Sequence, residues 1–304
     1  MKPSISFPPH IKHPDTTRGI MLDVLISLLP ASIVGIFYFG LRAAIMIAVC
    51  VAAAVIAELA FCLIAKKPIT VGDLSAAVTG LLLALNMPSK MPFWMAAVGC
   101  FVAIIVVKQM FGGLGHNFVN PAIAARIVVM VSWPSTMSKY TLPFNHTVTT
   151  ATPLADVSNY RISELLLGTH GGTIGETCAI ALLLGGAYLI IRKVISWHIP
   201  VVFVGTVFVL SLVSGGDAVR DILAGGLLLG AIFMATDYVT SPTTNIGKAI
   251  YAAGCGIITF VIRRFGDLPE GVSFAIIIMN ILTPHINNFA NYIAKPFGWE
   301  ETKE

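Results

Sequence analysis

Residues 111–121 have the sequence FGGLGHNFVNP and lie between two strongly apolar runs. Three glycines within four positions end the first run, because glycine is a poor helix former. Asn120 followed by Pro121 is typical of an N-cap with proline at the first helical position, so a new helix is predicted to begin there. The backbone between the two helices needs partners for its N–H and C=O groups, which makes this break a candidate binding region.

The chain as a whole is apolar enough to be an integral membrane protein. Of its 304 residues 56% are hydrophobic and 11% are charged, against about 25% charged residues in an ordinary soluble domain. The mean hydropathy is +0.86. The formal net charge of +4 is too small to suggest nucleic acid as a partner. Because the first apolar run has no small-residue cleavage site, we expect a retained helix rather than a signal peptide.

Ten apolar spans are predicted, and several are shorter than the ~20 residues that cross a bilayer as a straight helix. The short ones, 74–88, 120–133 and 222–236, are expected to be half-helices or re-entrant segments shielded by protein. The other spans are 22–39, 43–65, 93–111, 176–192, 198–214, 246–262 and 271–289. We therefore expect an all-α membrane protein with broken helices.

The two five-span halves resemble each other in sequence. Asp73 and Asp221 each precede a Gly-Leu-Leu-Leu run, and Lys108 and Arg263 each lie eight residues after a Gly-Cys pair. Because five is an odd number of crossings, the second copy is predicted to run inverted across the membrane. Inverted repeats commonly place ligand and ion sites at the midplane. Chance similarity between two helices rich in Leu, Ala and Gly is the alternative.

The spans divide the chain into five parts. A leader, 1–21, precedes the first membrane half, 22–133, and a hydrophilic loop, 134–175, separates it from the second half, 176–290. A tail, 291–304, ends the chain. With the leader inside, 12 of the 19 Lys and Arg residues fall in segments expected on the cytoplasmic side. Both ends are therefore predicted to be cytoplasmic, and the loop extracytoplasmic.

Two further breaks lie in the second half, DYVTSP at 237–242 and GDLPEG at 266–271. An ionisable group costs ~2.5–3.5 kcal/mol at the centre of a membrane helix, so Asp237 is expected to face a partner or a water-filled cavity. We predict that Asp237 belongs to a cation path, with a structural ion pair or an interface position as the alternative. The same expectation of a partner or a cavity applies to Asp23, Glu58, Asp73 and Arg126. The His and Cys residues lack metal-ligand spacing, so no metal site is predicted.

The hydrophilic loop contains TVTTATPL at residues 147–154. The last threonine of a Ser/Thr-x-Ala-Thr pattern, here Thr152, is where one group of redox membrane proteins esterifies its hydroxyl to the phosphate of FMN. Taken alone the tetrapeptide is a weak signal. The alternative is an ordinary loop threonine before proline.

A set of motifs resembles, in order along the chain, the D subunit of the Rnf complex. They are PHI at 9–11, IMLDVLI at 20–26, GGLGHNFVNPA at 112–122, TTATPL at 149–154, ATD at 235–237 with VTSP at 239–242, and PEGV at 269–272. The related B subunit of the sodium-pumping NADH:quinone reductase shares this core but usually has a longer N-terminal extension, so the resemblance favours Rnf. Tyr238 departs from the family pattern, which usually has proline after Ala-Thr-Asp.

The resemblance implies a membrane subunit of a complex that moves electrons between ferredoxin and NAD, coupled to Na⁺ or H⁺ export. It implies ten helices in two inverted five-helix repeats, similar to urea transporters. It also implies FMN bound covalently through Thr152 and a second, non-covalent flavin, riboflavin. The implied partners are the A, B, C, E and G type subunits, among them an extracytoplasmic FMN-carrying subunit, in a bacterial or archaeal cell membrane.

Four other residues are cofactor-binding candidates: Thr149 and Thr150 beside Thr152, and Asn117 and Asn120 in the first break. We hypothesise that the two asparagines bind the polar edge of riboflavin, since a buried flavin edge needs amide-type partners and the nearby glycines let backbone approach closely. Being three residues apart, they would share a side if this short segment is helical. Helix capping and hydrogen bonds between helices are the alternative. For the whole chain, the rival functions are a urea-transporter-like channel without a redox group and the quinone-reductase B subunit.

Overall fold

The computed structural model describes residues 16–150, 153–155, 160–266 and 270–294, and the described chain is mostly helical. The α-helices are α1 Thr17–Phe39, α2 Leu41–Ile64, α3 Ser75–Leu85, α4 Phe93–Phe101, α5 Pro121–Ser132, α6 Pro134–Met137, α7 Ile162–Leu167, α8 Ala179–Ile191, α9 His198–Val213, α10 Ala218–Leu223, α11 Leu227–Leu229, α12 Asn245–Phe265 and α13 Val272–Ala294. Two π-helical segments, Val102–Gln109 and Gly230–Met234, continue α4 and α11, and two short 3₁₀ turns occupy Val71–Asp73 and Pro153–Ala155.

Within the described residues, four helices are long and apolar enough to cross a membrane: α1, α2, α12 and α13. The other apolar helices contain between 10 and 17 residues and fall short of the ~20 residues of a straight crossing. Helix α3 has 11 residues and α5 has 12, which agrees with the short spans predicted at 74–88 and 120–133. The predicted span 222–236 is broken into α10, α11 and a π-helical segment. Every predicted apolar span thus contains helical structure, and the three short ones are short or broken.

The prediction of an all-α chain is wrong in one segment of the loop between the membrane halves. Strand β1 (Tyr140–Leu142) pairs antiparallel with strand β2 (Asn145–Thr150), with Tyr140 opposite Thr150 and Thr141 opposite Thr149. Thr141 also bridges to Gly172. This part of the loop is rich in threonine and also contains valine, and such β-branched residues favour strands. The apolar spans, in contrast, form helices. The hairpin is the described structure that leads directly into Thr152.

Glycine allows two of the helices to pack backbone against backbone. Gly185 in α8 lies against α1, and a Cβ added to it would be 2.1 Å from the carbonyl oxygen of Ser27. That distance is far below any real contact, so α1 and α8 approach as closely as they do only because position 185 has no side chain. The hydrophobic core continues from this contact through α3, α5 and the π-helical segments.

Replacing Gly185 by alanine is expected to push α1 and α8 apart and to lower the free energy of unfolding by about 1–3 kcal/mol, the usual cost of overpacking a core. The measurement is the melting temperature of the detergent-purified protein. Gly205 in α9 is the matched control, because a Cβ there would meet nothing within 4 Å. Gly205→Ala is expected to be neutral or to stabilise by up to about 1 kcal/mol, since alanine is the better helix former. Equal melting temperatures for Gly185→Ala and the unchanged protein would contradict the packing argument.

Candidate functional site

One predicted break from each half, 111–121 and 237–242, contributes residues to the lining of a central cavity. The cavity encloses about 740 Å³ including its open mouth. Its polar lining comes from the first break, from the start of α3 and from the chain after the second π-helical segment, and includes Ser75, Lys108, Asn117, Asn120, Thr236 and Asp237. Its apolar lining comes from α1, α3 and α8. A largely apolar cavity with a few convergent polar groups is the usual character of a site for a small organic ligand.

Asn120 has the capping role that its sequence context predicts. Its Oδ1 accepts hydrogen bonds from the backbone N–H groups of Ala122 (3.0 Å) and Ile123 (3.3 Å), and Pro121 is the first helical residue. Its Nδ2 donates to the carbonyl oxygen of Met234 in the other half, at 3.2 Å. The prediction of an N-cap is confirmed. The side chain also joins α5 to the second π-helical segment. One of its two amide N–H bonds makes this contact, and the other remains for a ligand.

Asn117 also lines this cavity, but the backbone conformation that places it there is not the helix considered in the sequence analysis. Residues 116–120 are not helical, so the argument that Asn117 and Asn120 share a helix face is wrong. The glycine turn brings them together instead: Gly112, Gly113 and Gly115 all have positive φ, a region that glycine enters without strain. Asn117 is 8% exposed, and its Oδ1 has no hydrogen-bond partner within the described chain. A buried, unsatisfied acceptor beside a cavity favours a ligand with an N–H or O–H donor.

Asp237 lines the cavity where the second half is unwound. Its Oδ2 accepts a hydrogen bond from Thr240 Oγ1 at 3.1 Å, and the Thr240 carbonyl oxygen accepts one from Thr283 in α13 at 2.9 Å. Tyr238 follows it and donates from its hydroxyl to the carbonyl oxygen of Val194 after α8. Tyr238 therefore ties the unwound segment to the neighbouring loop at the position where the family pattern has proline.

A buried ion pair, which sequence reasoning did not assign, borders the cavity beside Ser75. Lys108 and Glu58 are 2% and 0% exposed, and Lys108 Nζ lies 2.8 Å from Glu58 Oε1. The ammonium group also donates to Ser75 Oγ at 2.6 Å, and Glu58 Oε1 accepts further hydrogen bonds from Gln109 and Thr70. Burying a charge requires a partner, and this contact supplies one for each member of the pair. The resemblance between the two halves pointed to Lys108, but only the packing reveals its partner.

A second group of buried polar residues lies around the middle of α5, and we call it the Arg126 cluster: Asn86, Arg126, Glu176 and Glu270. Arg126 donates to Asn86 Oδ1 at 2.6 Å and to Glu270 Oε2 at 3.1 Å. Glu176 accepts from the backbone N–H of Thr173 at 3.0 Å through Oε1. Sequence reasoning named Arg126 as a charge in need of a partner. The sequence analysis did not identify Glu270 as the partner of Arg126, because 144 residues separate the two. It did not identify the nearby Glu176 either.

The hairpin and the Arg126 cluster contribute to the lining of the same cavity. A second cavity of about 700 Å³ is lined by Tyr140 of β1, by Arg126 and Met130 of α5, and by Glu270 and Phe274. Burial raises the pKa of the Tyr140 phenol above its usual value, and the nearby Glu176 charge acts in the same direction. The phenol therefore stays neutral and can donate a hydrogen bond at any physiological pH.

Two of the three threonine candidates lie in the hairpin. The backbone of Thr149 and Thr150 lies in β2, paired with β1. Thr152 falls outside the described residues. The hairpin that precedes it is attached to the helices at two points: the N–H of Phe144 donates to the carbonyl oxygen of Tyr38 at 3.0 Å, and the hydroxyls of Ser89 and Thr141 are 2.7 Å apart. The chain entering the Thr152 segment is thus held against the membrane domain.

Most of the ionisable groups expected to need partners have them. Asp23 accepts hydrogen bonds from Tyr188 at 2.8 Å and Arg192 at 3.2 Å, and Asp73 accepts from the backbone N–H of Ser75 at 2.8 Å. The five cysteines are all buried and unbridged. Among the described residues no group of three or more His, Cys, Asp or Glu side chains is arranged to hold a metal ion.

Comparison with known proteins places these residues in a well-populated family. The model of the NQR2, RnfD, RnfE family matches residues 4–295. The D subunit of the Na⁺-translocating ferredoxin:NAD⁺ oxidoreductase complex of Acetobacterium woodii is 47% identical over 94% of this chain and 93% of its own length. The D subunit of the proton-translocating ferredoxin:NAD⁺ oxidoreductase complex of Clostridium ljungdahlii is 43% identical over 94% of each chain. The D subunit of the ion-translocating oxidoreductase complex of Halorhodospira halophila is 34% identical over 92% of each.

Proposed function

Because the chain belongs to the NQR2, RnfD, RnfE family, we propose that it carries electrons across the membrane through FMN on Thr152 and a second flavin in the central cavity, coupled to movement of a monovalent cation. The chain is a membrane subunit of an ion-translocating oxidoreductase complex, as its relatives' names state for them. The ferredoxin:NAD⁺ reaction is proposed here from the two relatives that share most with it. Its partners in that complex are the A, B, C, E and G type subunits.

The proposed layout is ten spans in two inverted five-span repeats. The contacts of the two repeated basic residues support it. Lys108 binds Ser75 at the start of α3, and Arg263 donates to the carbonyl oxygens of Asp221 (2.8 Å) and Ala224 (3.2 Å), just before α11. In each half, a cation at the end of a long helical segment thus binds polar groups beside a short helix. These similar contacts favour a repeat over chance similarity between apolar helices.

The proposed orientation places both ends of the chain in the cytoplasm and the hairpin outside. Lys and Arg bias supports it. So does Arg42 at the start of α2, which donates to the carbonyl oxygens of Ser89 (2.9 Å) and Lys90 (3.1 Å). Those two segments therefore share one face, as an outward crossing of α1 requires. The central cavity then lies toward the cytoplasmic side and the Arg126 cluster toward the outside.

The unpaired Asn117 acceptor carries the proposal for the second flavin. An isoalloxazine ring has a polar edge with one N–H between two carbonyl groups and two apolar faces. Asn117 Oδ1 is free to accept the N–H, the remaining amide proton of Asn120 is free to donate to a carbonyl, and the apolar walls from α1, α3 and α8 suit the ring faces. The bound flavin supplies the electron transfer, while this chain orients it and excludes water.

Substituting Asn117 by leucine is expected to weaken binding of the non-covalent flavin about five-fold, the value of one hydrogen bond of about 1 kcal/mol. The measurement is the ratio of acid-released flavin to protein across a titration with added riboflavin. Asn287→Leu is the matched control: Asn287 accepts from the N–H of Thr243 outside the cavity lining, so flavin binding is expected to be unchanged. Unaltered affinity in Asn117→Leu would contradict this placement of the ring.

Asp237 is proposed as a member of the cation path, because it lines the same cavity as the proposed flavin. A change in the charge of the flavin then acts on a cation held nearby, which provides an electrostatic link between electron transfer and ion movement. One relative's name specifies Na⁺ and another's specifies a proton, so membership of this group does not select the cation.

A further inference from the structure

The two cavities are connected by a chain of buried hydrogen bonds that crosses from one half to the other. Asn120, in the central cavity, donates to the carbonyl oxygen of Met234 at 3.2 Å. Asn86 Nδ2 contacts the sulfur of Met234 at 3.6 Å, and Asn86 Oδ1 accepts from Arg126 at 2.6 Å. Arg126 lines the second cavity. The guanidinium and Asn86 therefore lie between the two cavities.

Arg126 places a fixed positive charge at this point. Its side chain is 3% exposed, and a guanidinium does not release its proton in proteins. A buried arginine in a pore repels cations, and this is one way in which channels exclude them. A cation moving between the two cavities would meet this positive charge, so Arg126 in its observed position disfavours such passage.

Arg126 has a second acid within reach. Glu176 is 4% exposed, and its Oε2 has no hydrogen-bond partner in the described part of the chain. Arg263 is the other nearby cation, but its guanidinium donates to the carbonyl oxygens of Asp221 and Ala224. A buried carboxylate oxygen without a donor is costly, and a donor that arrives would be held strongly.

Gly226 leaves the space between the two acids open. A Cβ at this position would lie 3.1 Å from both Glu176 Oε2 and Glu270 Oε2 and 3.4 Å from Arg126 Nη1. The two acid oxygens are thus at most about 6 Å apart, and Arg126 Nη1 lies near the same point. In the structure Arg126 pairs with Glu270, and position 226 leaves the space toward Glu176 open because it has no side chain.

We propose that Arg126 is the gate of the cation path, and that it opens by transferring from Glu270 and Asn86 to Glu176. The transfer removes the positive charge from the line between the cavities and frees Asn86 Oδ1 and a Glu270 oxygen to contact a passing cation. No proton or electron is exchanged in this step. The inference rests on the proposed function, because it requires a cation path between the two cavities.

The test uses the intact complex reconstituted into liposomes, with Glu176→Gln and Glu270→Gln compared in two measurements. The first is cation uptake driven by electron transfer, and the second is passive leak of Na⁺ and of protons without an electron donor. Glu176→Gln removes the second partner, so driven uptake is expected to fall at least ten-fold while passive leak stays low. Glu270→Gln weakens the closed state, so passive leak is expected to rise at least ten-fold.

The opposite signs of the two results identify a gate, because a merely structural cluster would respond to both substitutions in the same way. Glu164→Gln in α7, whose carboxylate accepts from the backbone N–H of Arg161, is the matched control and is expected to change neither measurement. Gly226→Ala is a second variant and is expected to behave like Glu176→Gln, because its methyl group obstructs the transfer. Driven uptake of the normal size in Glu176→Gln, or an unchanged leak in Glu270→Gln, would overturn the gate. Absence of driven uptake in the unchanged complex would instead count against the proposed function.

Discussion

Material carrying Thr152→Val is expected to lose its covalently bound flavin entirely, and electron transfer between ferredoxin and NAD⁺ by the complex is expected to fall to background. Valine has nearly the shape of threonine but no hydroxyl, so no phosphoester can form. A tethered ring stays at a fixed distance from its redox partners and cannot diffuse away, whereas a free flavin at this position would be lost. The measurements are in-gel flavin fluorescence of the denatured protein, peptide mass spectrometry over residues 140–161, and the NAD⁺ reduction rate.

The control for this experiment is Thr150→Val, two residues earlier in the chain and in strand β2. It makes the same chemical change, and we expect the fluorescent band to remain, because only the Thr152 hydroxyl forms the ester. A Thr152→Val protein that keeps its band and its activity would show that the electron route avoids this residue. Native material without any covalent flavin would favour the rival channel without a redox group. Electrons delivered to a quinone instead of NAD⁺ would favour the quinone-reductase B subunit.

Removing the Lys108 charge is expected to cause the largest loss of stability among single substitutions in the membrane domain. Lys108→Met leaves the Glu58 carboxylate buried without its cation, and breaking a buried ion pair on one side costs about 3–5 kcal/mol. The loss is expected to appear as a large fall in melting temperature in detergent. The double variant Lys108→Met with Glu58→Gln is expected to recover much of it, because the uncompensated charge is gone while Thr70 and Gln109 keep hydrogen-bond partners.

Arg192 and Asp23 provide the comparison for an exposed pair. Their charged groups are 3.2 Å apart, but the Arg192 side chain is 55% exposed. Exposed pairs contribute about 0–1 kcal/mol, and Tyr188 still donates to Asp23 when the arginine is removed. Arg192→Met is therefore expected to change the melting temperature little. If Lys108→Met and Arg192→Met have the same small effect, the Glu58 pocket is hydrated rather than dry, and the estimate for Lys108 is wrong.

Local physics accounts for the parts of the structure that the sequence predicted well. The apolar spans, including the short ones, depend on runs of side chains whose transfer into lipid is favourable residue by residue. The N-cap at Asn120 and the break before it depend on proline and glycine, whose backbone preferences act over a few residues. The segment 134–175 was predicted only as a hydrophilic loop. The hairpin in it was missed, because a short strand is defined by its partner strand rather than by its own residues.

The amino-acid sequence by itself determined that this chain is a membrane protein of apolar, repeatedly interrupted helices, where its helices break, and which family it resembles. Only the tertiary structure decided that Asn117 and Asp237, 120 positions apart, share one cavity, that Lys108 neutralises Glu58, and that Arg126 pairs with Glu270. The physical reason is that helix and turn preferences act on neighbouring residues. The partner of a buried charge is chosen by packing between distant segments, because only there can the cost of removing it from water be offset.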